Sequence, residues 1–181
     1  SNKQLMDEVI RQQKLLHEMA VTDQLTGCHN RHGFAEITEK YMANAKRRRE
    51  DVSILMLDLD YFKQINDTWG HDKGDQVLKE VGKSLRESCR EGDIVSRMGG
   101  EEFVVFLSSC PKKDAIAMGQ RIRKRIESLQ PGELDITTSI GATTIPAGHN
   151  IDIDDALCKA DKAVYRAKKR GRNCVSFKAC T

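Results

Sequence analysis

Apolar and polar positions along the chain change period several times, and each change marks an expected element. Residues Lys3 to Ala20 hold no Pro or Gly, and Met6, Val9, Gln13, Leu16 and Ala20 recur at alternating spacings of three and four. That spacing predicts a helix over residues 1–20. Its stripe is either a seam for a second helix or the underside of a surface helix. A second helix is expected over Asn30 to Ala45. Val52 to Leu59 is a continuous apolar run ending in acids, the pattern of a strand buried on both faces. Gln76 to Cys89 places Leu78, Val81 and Leu85 on one stripe and reads as a helix. Ile94 to Met98 and Phe103 to Leu107 are strand-like, joined across Gly99-Gly100, where both positions tolerate positive φ. Pro111 and Asp114 open a helix to Leu129, and Ile136 to Ile145 reads as a strand. Asp154 to Arg170 is a further helix closed by Gly171, and Cys174 to Phe177 is a short last strand.

The strand and helix order from Val52 to Ile145 is βαββαβ, the split arrangement of ferredoxin-like cores. The fold class is therefore α+β: a central, mostly antiparallel sheet flanked by helices, with an extra C-terminal helix and strand. Residues 21–181 form one domain, and residues 1–20 its N-terminal helix. With 39% hydrophobic and 31% charged residues, the 181-residue chain has material for one core and is not a disordered segment. The net charge of +3 argues against a nucleic-acid polymer as partner. No apolar run approaches the roughly 18 residues that span a bilayer, so no membrane contact by this domain and no signal peptide are expected. Six cysteines are scattered without a CxxC pair and read as the reduced thiols of a cytoplasmic protein.

Candidate chemistry gathers at strand ends. Asp58-Leu59-Asp60 closes the first strand and Glu101-Glu102 follows the hairpin tip, and the topology makes those strands neighbours. Close carboxylates repel unless a cation sits between them, and oxygen ligands suit Mg²⁺; a solvated acidic tip is the plainer reading. A two-residue hairpin pairs Met98 with Glu101 and Arg97 with Glu102, so only one of the two glutamates meets Asp58. The polar stretch Tyr61 to Asp75 reads as a long loop at the strand mouth, where ligands bind in such sheets. Its amides and Lys63 are placed to hold phosphates, and Asn66 and Asp75 to read a base edge, or else to cap turns. His71 reads as a structural hydrogen-bonding residue. Lys168 and Arg172, spaced i and i+4 in a basic run, form a clamp for polyphosphate or part of a solvated face. Lys46-Arg47-Arg48-Arg49 reads as a surface loop.

These clusters together resemble the GGDEF family of diguanylate cyclases. Gly99-Gly100-Glu101-Glu102-Phe103 is similar to its signature hairpin in the GGEEF form. Asp23 to Gly27 with Asn30-Arg31 resembles its opening motif, and Asp58 to Asp67 with Gly70-His71 and Gly74-Asp75 its longest one. Ser139-Ile140-Gly141 and Ala160 to Asn173 resemble the later motifs. The resemblance implies a core like that of nucleotide cyclases and polymerase palms. It implies condensation of two GTP into cyclic di-GMP with loss of two pyrophosphates. On that reading Asp58, the Leu59 carbonyl and Glu101 hold two Mg²⁺ per active site, for which Mn²⁺ can substitute. Glu101 also helps deprotonate the 3′-hydroxyl. Tyr61, Phe62, Lys63, Lys168 and Arg172 hold phosphates, and Asn66 and Asp75 recognise guanine. A homodimer brings two half-sites together, driven by an upstream sensory domain; whether a longer parent is membrane-anchored stays open. Arg90 and Asp93 stand at the RxxD spacing of the family's inhibitory site for cyclic di-GMP, with Arg121, Arg123 or Arg125 completing it; an ordinary polar turn is the plainer reading. A non-catalytic receptor for cyclic di-GMP or GTP, or a different nucleotide cyclase, are the alternative functions.

Overall fold

The computed structural model describes residues 1–181. Helices α1 (Asn2–Val21) and α2 (Arg31–Arg48) precede strand β1 (Val52–Leu59), followed by α3 (Phe62–Trp69) and α4 (His71–Ser88). The hairpin β2 (Ile94–Gly99) and β3 (Glu102–Leu107) leads to α5 (Lys112–Leu129), β4 (Thr138–Ile145), α6 (Ile153–Lys169) and β5 (Val175–Phe177). The five strands lie in the order β2-β3-β1-β4-β5. All neighbours are antiparallel except β4 and β5, so the ferredoxin-like core stands, with β5 added at one edge.

Alternation along β1 sorts the core into two layers. Leu55, Leu57 and Leu59 pack with Val81, Leu85, Ile122 and Ile126 of α4 and α5. Val52 and Ile54 face the other way, toward Phe34 of α2 and Ala156 and Ala160 of α6. Both faces are covered, which is why the strand reads as an unbroken apolar run. Alanines 156, 160, 163 and 167 are all buried on α6. A Cβ on Gly141 would stand 2.1 Å from the Ala160 carbonyl oxygen, so the small residues let α6 lie directly against β4.

Four expectations change. The stretch 61–75 is not a loop but two helices broken at Gly70, whose φ of 88° ends α3 and starts α4. Their polar surfaces face solvent and hid the helical period. Residues 46–48 form the last turn of α2 and Arg49 its left-handed cap, so the basic run is helical. His71 is exposed at the start of α4 and makes no side-chain hydrogen bond. None of the 20 residues of α1 is buried, so the helix does not lie on the domain. It is held near its C-terminal end: Asn30 donates to the Ala20 carbonyl at 2.8 Å, a Cβ on Gly33 would meet the Val21 carbonyl oxygen, and His17 lies 3.3 Å from Glu36. No helix is long and apolar enough to cross a membrane.

Candidate active site

The sheet period decides which carboxylates meet. Asp58 lies opposite Glu102 in the β1–β3 register, and cross-strand partners share a face. That face is the α6 side, where Lys168 Nζ stands 3.0 Å from Asp58 Oδ1. The contact lies outside hydrogen-bond geometry, so the buried Oδ1 keeps no hydrogen-bond partner. Burial pushes the Asp58 carboxyl above its ordinary value; Lys168 draws it back, and Glu101 and Asp60 push it up again. Glu102 is likewise raised, by burial first, then by Asp58, Asp161 and Glu101, against the pull of Arg31. Lys168 is the one cation paired with Asp58, and Glu102 has no ion-pair partner.

The hairpin differs from the expected two-residue turn. A register shift between Arg97 and Gly99 pairs Arg97 with Phe103 and Gly99 with Glu102. Glu101 therefore sits in the turn itself, after Gly99 and Gly100 at φ 144° and 50°. It is Glu102, expected only as part of the signature, that faces Asp58 directly. The Glu101 carbonyl accepts from the Leu59 N–H at 3.3 Å, which pins the turn to the end of β1. Arg97 adds a second tether, donating to the Gly100 carbonyl at 2.9 Å and to Asp23 at 3.0 Å.

Asp60 leaves the acidic cluster. It is buried, accepts from Thr137 and Ser139 at 2.6 Å each, and accepts from the Asn173 N–H at 3.1 Å. Asp60 thus anchors the turn after α6. Arg172 lies in that turn, not on the helix, with φ 66°, so the i, i+4 clamp with Lys168 does not form. Both residues still arrive at the end of β1: Lys168 against Asp58, and the Arg172 guanidinium 4.6 Å from the Tyr61 ring centre. Tyr61 takes φ 57° as the cap of α3 with no side-chain hydrogen bond, which leaves the first amides of Phe62 and Lys63 without a side-chain cap. Lys63 is exposed beside them.

Asn66 on α3 packs against α4 at Gly74, where a Cβ would lie 1.9 Å from its Oδ1. That buried oxygen has no partner. Asp75, the next residue on α4, is exposed. On the far side of the sheet, Arg90 and Asp93 border a cleft of about 300 Å³. Asp93 is buried and accepts from the Arg90 and Ser108 N–H groups. Of the three candidate arginines only Arg121 lines that cleft; Arg123 pairs with Glu127, and Arg125 with Glu87.

The oxygen-only set around Asp58 suits a hard divalent cation. No three His, Cys, Asp or Glu side chains stand close enough to form a ready metal cluster, and Lys168 neutralises Asp58.

The sequence profile described as "Diguanylate cyclase, GGDEF domain" matches residues 20–174. The chain is 41% identical to the response regulator PleD of Caulobacter vibrioides over 168 residues, 90% of this chain and 37% of that protein. It is 38% identical to diguanylate cyclase A of Treponema denticola, over 90% of this chain and 45% of that protein. The chain thus spans less than half the length of these relatives. Among solved structures, the coiled coil and GGDEF domain of DgcB from Caulobacter crescentus, in complex with c-di-GMP, superposes with a TM-score of 0.89 at 26% identity, covering 98% of this chain and 95% of that one. Diguanylate cyclase SiaD from Pseudomonas aeruginosa, in complex with its activator SiaC, gives 0.82 at 33% identity, covering 97% and 69%.

Proposed function

Because the chain belongs to the GGDEF family of diguanylate cyclases, we propose that it condenses two GTP molecules into cyclic di-GMP. The observation that carries this reading is the cross-strand Asp58–Glu102 pair, both carboxylates raised first by burial, beside the uncapped amides of α3. Asp58, the Leu59 carbonyl and Glu101, with Glu102 added from the register, would hold two Mg²⁺ or Mn²⁺ ions. Bound there, the metal supplies neutralisation of triphosphate charge and a lower pKa for the sugar hydroxyl. Lys63, the Tyr61 and Phe62 amides, Lys168 and Arg172 bind phosphates, and Asn66 and Asp75 hold guanine. The 3′-oxygen attacks the α-phosphorus, the bond from that phosphorus to the pyrophosphate oxygen breaks, and the hydroxyl proton passes to Glu101. Two such steps, one in each direction, close the ring and release two pyrophosphates. Lys168 moves from Asp58 to the triphosphate when the substrate arrives.

One half-site per chain requires an antiparallel homodimer, and α1 (residues 1–20) is the input helix from a sensory domain. Arg90, Asp93 and Arg121 form the site for inhibition by cyclic di-GMP, so the product inhibits wild type more than Arg90→Ala. A GTP substrate and six free thiols support a cytoplasmic reading. Incubation with GTP and Mg²⁺ followed by nucleotide chromatography tests the activity. Cyclic di-GMP should appear with wild type and vanish in Asp58→Ala and Glu101→Ala while their circular dichroism is unchanged. Linear products or 3′,5′-cyclic GMP would overturn the reading, and no turnover at all would favour a receptor.

A further inference from the structure

A sizeable cleft lies away from the carboxylates. A cleft of about 590 Å³ opens between α2, the segment after β4 and the start of α6, within the size range of small-molecule sites. Its walls are apolar: Phe34, Met42, Met98, Ile145, Ile153 and Leu157. Two of these are methionines, whose unbranched side chains adapt to an entering group. The rim is charged and its signs are unequal. Glu39, Glu50, Asp152 and Asp154 line it, against Arg31 and Lys46.

Both cations are held by neutral acceptors, which fixes their position and leaves four carboxylates against two positive charges. Lys46 donates to Asn150 at 2.8 Å, Arg31 reaches the Met98 carbonyl, and His149 turns its Nδ1 to the Ala147 carbonyl. Asp152 is the cap of α6. Glu39, Glu50 and Asp154 have no ion-pair partner in the fold, so the free charge at the mouth is negative. We propose that this cleft is a ligand site for a small amphipathic cation, an apolar body with an amine that meets the rim carboxylates. Its Arg31 and Met98 edge adjoins the carboxylate end, but it shares none of the residues proposed to bind GTP or metal, and it does not depend on the cyclase reading.

The experiment titrates the whole chain with dansylcadaverine, an aromatic amine, and with dansylglycine, its carboxylate counterpart, following dansyl emission. Saturable, blue-shifted binding of the amine is expected, with the carboxylate weaker by about tenfold or more. Ala35→Trp fills the cleft from an exposed wall position and should weaken the amine by about tenfold. Met98→Phe is the second filling variant, and Glu39→Gln with Glu50→Gln should weaken the amine alone. The proposal is overturned by equal or tighter binding of dansylglycine or by the absence of saturable amine binding. Amine binding untouched in filled variants that keep the wild-type circular dichroism would also overturn it.

Discussion

At the residue scale, positions that touch two elements at once decide the site. Gly74 is one: its missing Cβ makes room for Asn66 Oδ1. Gly74→Ala therefore pushes Asn66 out of place while adding helix propensity to α4. KM for GTP should rise by about tenfold with the melting temperature within a few degrees of wild type; an unchanged KM would remove Asn66 from guanine recognition. The thiols offer a second test. Burial raises the pKa values of Cys28 and Cys110, and that of Cys89 to about 12. Below pH 9 folded and unfolded chains both keep these protons, so their contribution is flat. Above it the unfolded chain ionises first, and stability falls as pH rises, by about 1.4 kcal/mol per unit for each thiol. Urea titration at pH 10.5 should find Cys89→Ser spared about 2 kcal/mol of the loss from pH 8 that wild type suffers. Asp58, Lys63 and Glu101 could be singled out in the sequence because their residue types and spacings suit a chemistry. The role of Asp60 could not be read there, since only the fold shows that Thr137, Ser139 and Asn173 use it up.

At the element scale, strands proved easier to read than the segments between them. The continuous apolar run of β1 fixes its bounds, because both faces are covered. The stretch after it misleads: α3 and α4 bury few residues before Val77, so their first turns show polar sequence with glycines. The hairpin shows a subtler failure. Two glycines announce the turn but not the register shift, and that shift moves Glu101 into the turn and sets Glu102 against Asp58. What holds this irregular tip is Arg97, half-buried between the Gly100 carbonyl and Asp23. Removing the guanidinium leaves both acceptors without their donor, at about 2 kcal/mol for a charged hydrogen-bonded group. Arg97→Ala should thus lower stability by that amount in urea titration and lower kcat more than it raises KM. A variant with lost stability but unchanged kcat would make the tether purely structural.

For the whole molecule, the exposed faces say what the isolated chain is missing. Leu5, Met6, Val9, Leu16 and Met19 of α1 are all more than 40% exposed, a stripe too apolar for a solvated helix. On the proposed reading the chain carries one guanine position and one phosphate-binding helix end, whereas a cyclic dinucleotide needs two nucleotides held face to face. Both features would resolve in a pair of chains, with the stripe buried against its copy and each domain bringing one GTP to the other. Below the dissociation constant of that pair, the concentration of active sites grows as the square of enzyme concentration. Specific activity should then climb in proportion to enzyme, and flatten above the dissociation constant. Val9→Asp with Leu16→Asp alters only exposed positions, so the domain should keep its melting temperature. Charge in the seam weakens pairing, so the plateau should move to higher enzyme concentration by about tenfold or more while its height stays the same. A specific activity constant across dilution would show that one chain suffices. A shift absent from the double variant, with wild-type activity still climbing, would move the pairing from α1 to the domain faces.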